Sequence, residues 1–396
     1  MEASTAGPDR HPPVDRRSVI LVGAGTFAFW LALYLYVPVL PLHAEELGAS
    51  LSMVGLVVAS YAIAQLLLRI PIGVAADILG RRKPFAAGAL ACSAAGAVGL
   101  ALSPDPWSLF AARTVVGVGA AGWVAISVLY SSYYPPRRTL HALSRLMTIN
   151  TTGLLAATFA GGLISEHLGT GTAFYAAAAI GAAGAVLMLS AREPESRRGG
   201  TYSAATFVRV ARTPLLLLAG GIGILAQFVT FGGSYGFVPL HAERIGASDA
   251  QVGYVTTAML LTQVLGTMAT TRLVNHWGNR AALLLASVLV AVSMVLVPFT
   301  SSVWTLMALQ GLGGLGRGVA NTVLIALSLR AIAPEDRATG MGVYQAIYAA
   351  GMFAGPAASG YLAQAAGLDA VFHLAAAVSL AGGFLGLLRT IPSRPG

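Results

Sequence analysis

The 396-residue chain is 56% hydrophobic and only 10% charged, with a formal net charge of +9. Soluble domains carry roughly 25% charged residues, so this composition excludes a water-facing globular surface. The single cysteine, Cys92, excludes an intramolecular disulfide and has no metal-ligand spacing around it.

The N-tail, residues 1–17, is polar and ends in Arg16-Arg17. The apolar run behind it exceeds the roughly 7–15 residues of a signal core, so it is expected to be retained as a membrane helix. A bilayer-spanning helix needs about 20 mostly apolar residues. Six such segments follow in order: Ser18–Leu40, Leu51–Ala75, Phe85–Leu102, Trp107–Tyr130, Leu146–Ile164 and Ala173–Leu189. Glu193 to Thr213 is polar and contains Gly199-Gly200; its Tyr202–Arg212 part reads either as a surface helix or as a solvated linker. Six more segments complete the chain: Pro214–Leu240, Val252–Leu273, Ala281–Phe299, Trp304–Leu327, Gly340–Ala366 and Ala370–Leu388. The expected division is a tail (1–17), a six-helix bundle (18–190), a linker (191–213), a second six-helix bundle (214–389) and a C-tail (390–396).

The two bundles repeat each other. Pro41-Leu42-His43-Ala44-Glu45 returns as Pro239-Leu240-His241-Ala242-Glu243, and both run on into Gly-Ala-Ser. Charge sets the expected orientation. Arg10, Arg16, Arg17, Arg81, Arg82, Lys83, Arg137, Arg138, Arg192, Arg197, Arg198, Arg209, Arg212, Arg280, Arg330, Arg337, Arg389 and Arg394 fall on one side of a twelve-pass chain. Glu45, Glu46, Asp105, Glu166, Glu243 and Asp369 fall on the other, with Arg244. The positive-inside rule then places both termini in the cytoplasm of a cell-membrane protein. Bases spread thinly along one membrane face do not read as a nucleic-acid surface.

Between the second and third segments stands Gly73-Val74-Ala75-Ala76-Asp77-Ile78-Leu79-Gly80-Arg81-Arg82-Lys83. This pattern resembles the cytoplasmic signature loop of the major facilitator superfamily. The resemblance implies an all-α integral membrane fold of about twelve helices in two pseudo-symmetric six-helix bundles. It also implies a gate at Gly73, Asp77, Gly80, Arg81 and Arg82, with Asp77 as a latch against a helix N-terminus or an arginine. Adding 198 carries Gly80 to Gly278 and Arg82 to Arg280, but Asp77 to Asn275, so the second copy lacks the carboxylate. Arg113-Thr114-Val115-Val116-Gly117 resembles the superfamily's Arg-x-x-x-Gly motif, which is associated with proton coupling. The Gly-Pro of the drug-exporting hinge is missing at Ala157–Gly162, where only Gly161-Gly162 remain; the eleventh helix has Gly351-Met352-Phe353-Ala354-Gly355-Pro356, read as a flexing point or as simple helix packing. The twelve-helix, drug-proton-antiporter-like branch remains the expectation.

Gly311–Gly318 carries five glycines around Arg317, near mid-span, with Asn321 one turn later. An arginine there costs roughly 2.5–3.5 kcal/mol on insertion scales, so it should face protein or a wet cavity. Since the resemblance places the first, fourth, seventh and tenth helices around a central cavity, Arg317, Asn321 and Arg113 are its expected polar contacts. Trp30, Tyr34, Gln227, Phe231, Tyr235, Tyr344, Gln345 and Tyr348 are candidates to complete it; such stripes also serve as packing or interfacial anchors. No aspartate or glutamate lies in the middle of a predicted span, which disfavours a purely cationic substrate. Coupling carboxylates would then be peripheral: Glu45, Glu46 or Glu166, beside Arg113.

No catalytic set and no nucleotide loop is present, so neither an enzyme nor an ATP-driven pump is expected, and no cofactor is called for. The expected function is alternating-access secondary transport: proton-coupled efflux of a small amphiphilic, neutral or anionic compound. Alternatives are a facilitator or symporter for a polar or anionic metabolite, and a transport-inactive sensor or scaffold. Expected partners are the lipid bilayer, a small-molecule substrate and protons, in a monomer that binds no nucleic acid.

Overall fold

Helix starts are written locally. Ser50 Oγ accepts from the Met53 amide, Asp105 accepts from the Trp107 and Ser108 amides, and Ser248 forms a reciprocal cap with Gln251. Side-chain caps of this kind stabilise a helix by about 1 kcal/mol each. The turns are written in glycine. Gly48, Gly80, Gly169, Gly246, Gly278 and Gly367 are the positive-φ residues among those described, and they form three pairs 198 positions apart. The internal repeat is therefore a repeat of backbone turns, at conformations that side chains with a Cβ avoid.

The computed structural model describes residues 15–135, 138–194, 204–333, 336–388 and 391–393. Arg10, Arg137, Arg197, Arg198, Arg389 and Arg394, expected to set topology, lie outside them. Twelve long helices are described: α1 (Arg16–Tyr34), α2 (Leu51–Leu79), α3 (Lys83–Leu102), α4 (Pro106–Ser132), α5 (Thr139–Leu168) and α6 (Thr170–Ser190), then α7 (Pro214–Arg244), α8 (249–277), α9 (279–296), α10 (Val303–Arg330), α11 (Arg337–Ala366) and α12 (Leu368–Leu385). Gly278, at φ 81° and ψ 170°, breaks α8 from α9. All but α11 belong to stretches long and apolar enough to cross a bilayer; α11 is diluted by glycine, tyrosine and glutamine but has the length.

Several boundaries differ from expectation. The first span stops as a helix at Tyr34; a turn at residues 35–39 leads into a short helix, Leu40–Glu46. Its repeat in α7 stays continuous but widens into a π-helix at Val229–Phe237. Helices α2 and α5 run beyond their apolar cores, because the ends of a span may be polar at the membrane surface. The linker contains a helix, Ala204–Ala211. Val210 on it is buried with Leu216, Ile332 and Val343, while Arg209 Nη2 donates to Asp336 Oδ2 at 2.7 Å. It is docked on the second half rather than solvated.

Packing between helices relies on missing side chains. A Cβ at Gly314 would lie 2.2 Å from the Met259 carbonyl, and one at Gly316 2.4 Å from that of Ala286. The glycine run of α10 therefore wedges that helix between α8 and α9. Likewise, a Cβ at Gly351 would meet Ile224 backbone at 2.0 Å, so the α11 glycines serve close packing on α7.

The halves meet along two seams, α2–α11 and α5–α8. Both are tight at the face bearing Glu45 and Glu166. Gly55 approaches Pro356 and Gly360, and Gly162 approaches Gly253. Thr158 and Thr257 hydroxyls bond at 2.8 Å, and Phe159 stacks on Tyr254. Glu166 accepts from Ser248 Oγ and the Ala250 amide, capping α8 across the seam. Toward the opposite, basic face, α5 and α8 part.

A candidate substrate cavity

The parting of α5 and α8 exposes one cavity of about 530 Å³. Met147 and Met268, 44% and 73% exposed, stand at its mouth on the side of the Arg81–Lys83 loop. Among the described lining residues the first half contributes Trp30, Tyr34, Met147, Asn150, Thr151 and Leu154, and the others come from the second half. Of the sequence candidates, Arg317, Asn321, Trp30, Tyr34, Gln227, Phe231, Tyr235, Tyr344 and Tyr348 line it.

Arg317 is the only charged side chain among the described lining residues, and it is 7% exposed. Its Nη2 donates to Ser234 Oγ at 2.6 Å, and that hydroxyl donates to Gln310 Oε1 at 3.0 Å. Ser234 lies in the π-helical stretch of α7, a distortion that often marks functional positions. Arg317 Nε and Nη1, Gln310 Nε2 and Trp30 Nε1 have no protein partner. A buried donor without an acceptor costs about 1–3 kcal/mol, more when charged. The blind end thus carries positive charge and unspent donors. Around it, Trp30 packs against Tyr34 and Trp123, and Tyr34 meets Tyr235 edge-on with centroids 6.0 Å apart. Asn150, Gln227, Gln263 and Asn321 add amides, and no carboxylate is among the described lining residues.

Two expected contacts lie elsewhere. Arg113 neither lines the large cavity nor snorkels. It is 4% exposed, donates from Nη1 to Tyr36 Oη at 3.1 Å, and lies 4.5 Å from the Tyr61 ring centroid. Aromatic faces hold this desolvated cation in place of a carboxylate, a contact stabilising by about 2 kcal/mol or more. It borders only a space of about 10 Å³ behind Tyr34 and Tyr235. Gln345 faces α2, where its Oε1 accepts from Arg69 Nη1 at 3.2 Å.

Arg69 was absent from the expectations. It is 7% exposed, and its Nη2 also donates to Gln65 Oε1. Its partner Gln345 sits across the α2–α11 seam, so one guanidinium ties the halves together far from the tight Glu45 end. The rule that drew attention to Arg113 and Arg317, a base inside an apolar span, applies equally to Arg69.

The residues expected to form a gate lie at the open face. Asp77 Oδ1 accepts from Arg82 Nη2 at 2.8 Å, and Gly80 makes the left-handed turn between them. The Arg82 and Lys83 amides donate to Glu193, and Lys83 Nζ donates to the Leu189 and Ala191 carbonyls, fixing the loop on the end of α6. Gly73 approaches Val124, and Arg81 is exposed. At the closed face, Glu46 pairs with His43 at 3.2 Å. Burial, and then the charge of Glu243, push the Glu45 carboxyl above its ordinary range, with Arg244 opposing.

Comparison with known proteins agrees with this architecture. The family model described as Major Facilitator Superfamily matches residues 22–243 and 220–396. An uncharacterised transporter of that type from Methanocaldococcus jannaschii is 20% identical over 384 residues, covering 94% of this chain and 98% of its own. A variant of the nucleoside transporter NupG superposes with a TM-score of 0.78 at 15% identity, covering 93% of this chain and 98% of that one. The human organic anion transporter MFSD10 superposes with a TM-score of 0.69 at 20% identity, covering 95% and 100%. Twelve helices in two repeated bundles around one cavity, and a family match along nearly the whole length, identify the chain as a multi-pass membrane transporter of the major facilitator superfamily.

Proposed function

We propose that the chain exports a small amphiphilic, neutral or anionic compound by alternating access, driven by protons. The observation that carries the substrate class is the charge of the cavity: Arg317 without a facing carboxylate. An organic cation brought to this low-dielectric end would be repelled by the guanidinium, whereas an anion would complete it. The fold serves nucleosides in NupG and organic anions in MFSD10, so it leaves the class open and the lining decides. The four amides of the lining favour, as a second reading, uptake or facilitated passage of a polar metabolite.

By the positive-inside rule the open face and both termini are cytoplasmic, and the proposed location is the cell membrane. The conformation is then inward-facing. Asp77 would latch this face in the outward-facing state, and its pairing with neighbouring Arg82 is the released form. Coupling protons would reside on Glu45, Glu46 or Glu166 at the closed face, while Arg113 holds the packing between α1, α2 and α4. The transporter is proposed to act as a monomer.

The test is a stabilisation screen on purified protein, since ligands that bind only the folded state raise its melting temperature. Anionic and neutral amphiphiles should stabilise the wild type, and Arg317→Ala should weaken the anionic responses. Stabilisation confined to cations would overturn the substrate class. In proteoliposomes an imposed pH gradient should drive substrate against its concentration; mere equilibration would favour the second reading.

A further inference from the structure

The cavity does not end at Arg317. It continues sideways into the second bundle, between α7 and α10 on one side and α9 and α12 on the other, past Ile222, Leu283, Ser287, Val290, Val378 and Gly382. Interiors of helix bundles are normally close-packed. The first half shows what a filled version looks like.

The register between the halves is fixed by exposure. On α3, Ala91, Ala95 and Val98 are exposed; on α9, Val288, Val292 and Val295 are, 197 positions on. The helix caps that follow, Asp105 and Ser302, keep that offset. On α6 and α12 the buried positions match at 198, with Phe174 over Phe372 and Gly184 over Gly382. In the first half two side chains close the interior. Leu90 Cδ2 lies 2.6 Å from where a Cβ of Gly184 would stand, and Met188 Cε lies 2.9 Å from that of Gly25. Both are fully buried. Their counterparts in the second half are Ser287 and Gly386. Leu283 reaches the Gly386 position and Tyr344 the Gly223 position, so the volume of Met188 is made up, but that of Leu90 is not: the nearest side-chain atom to a Cβ at Gly382 is Leu225 Cβ at 3.7 Å.

We propose that this recess is a subsite for the slim apolar arm of the transported amphiphile, whose polar head rests at the Arg317 end. This rests on the cavity being the substrate site. The recess is apolar apart from the hydroxyls of Ser287 and Ser379, and Ser379 Oγ is already spent on the Ser287 carbonyl at 2.9 Å. It therefore offers an arm burial without a hydrogen-bond requirement. It is continuous with the charged end, so one ligand can occupy both. A substrate built this way has an anionic or neutral polar head, an aromatic or flat middle facing Trp30 and Tyr235, and an unbranched alkyl end.

The probe is a series of 4-n-alkylbenzoates, methyl to hexyl, with binding to the full chain in nanodiscs measured by equilibrium dialysis against empty nanodiscs. For the wild type, affinity should rise about fourfold per methylene until the recess is full. Ser287→Leu restores the first half's plug and should flatten that rise. Val378→Phe blocks the recess from the neighbouring helix α12 and gives an independent reading. Arg317→Ala should weaken the whole series while keeping its slope. A wild-type series with no dependence on chain length, or plugged variants that keep the wild-type slope, would overturn the subsite alone. No binding of any benzoate to the wild type would overturn the anionic cavity reading and this extension with it.

Discussion

Arg113 in the first half and Gln310 in the second stand at matching positions, 197 apart by the caps Asp105 and Ser302. Each bonds its own half's first span at a repeat-related position, Arg113 to Tyr36 in the turn after α1 and Gln310 to Ser234 in the π-helical stretch of α7. The link is conserved in place but inverted in chemistry. The first half puts the cation in this link and seals it with the Tyr36 and Tyr61 rings. The second half keeps the link neutral and places its cation, Arg317, two turns further along, beside space. Leu90 against Ser287 extends the contrast: at this point the first bundle is filled and the second is hollow. The repeat supplies a scaffold, and the departures from it make a site.

The sharpest way to break this contrast is to hollow the filled half. Leu90→Ala should lower stability by about 2–5 kcal/mol, the cost of a large core truncation. Ser287→Ala, at the matching position, should change it by no more than about 0.5 kcal/mol. Chemical or thermal unfolding in a defined micelle compares the two directly, and equal losses would remove the distinction.

The two arginines should separate next. Arg113→Ala discards the bond to Tyr36 and the ring contact, and should lower stability by about 2 kcal/mol. Arg317→Ala removes a cation with two unpartnered nitrogens, so stability should hardly fall, whereas anion affinity should drop about tenfold to a hundredfold. Unfolding midpoints and binding isotherms on both variants decide it; the opposite pattern would exchange their roles.

Across the seams, Arg69→Ala should loosen α2 from α11 by stranding Gln345 and Gln65, at a cost of about 1–3 kcal/mol. Spin labels on Ile78→Cys and Arg337→Cys should report a longer or broader distance distribution. An unchanged distribution would show that the Gly55–Gly360 contact suffices alone.

The outer face should respond to pH. Closure holds the Glu45 carboxyl above its ordinary range, through burial and then the Glu243 charge, among Glu46, Arg244 and Asp249. Opening would return it toward the ordinary value near 4.3 and release a proton. The closed outer face is therefore favoured at low pH, and this preference is lost as pH rises through the raised value. Thiol accessibility at this face should lose part of that dependence in a Glu45→Gln variant, and the rest, carried by the likewise raised Glu243, only in Glu45→Gln/Glu243→Gln.

The smallest effect belongs to Asp77→Asn. The Asp77 and Arg82 side chains are 39% and 22% exposed, so the pair should contribute less than about 1 kcal/mol here. If Asp77 is the proposed latch of the outward-facing state, the substitution should instead raise access of thiol probes from the basic face. Unchanged access would remove Asp77 from the gate.

Much of this protein was legible in its sequence for reasons that operate locally. Twelve apolar segments, the turn glycines and the Pro-Leu-His-Ala-Glu repeat each act through their own neighbours, and lipid requires every spanning backbone to satisfy itself as a helix. Arg317 was legible for the same reason: a base at mid-span must have somewhere to point. Three things were not. Gln345 and Arg69 find each other 276 positions apart, and nothing near either residue signals the other. Arg113 turns from the cavity to Tyr36 and Tyr61 because three helices converge there, and aromatic faces carry no sequence mark distinguishing packing from binding. The recess is a difference in volume between two bundles, decided by which side chains reach the same point from separate helices. Hydrophobic period and turn chemistry are properties of a stretch of chain; an empty space is a property of the neighbours that fail to fill it, and only the assembled helices determine that.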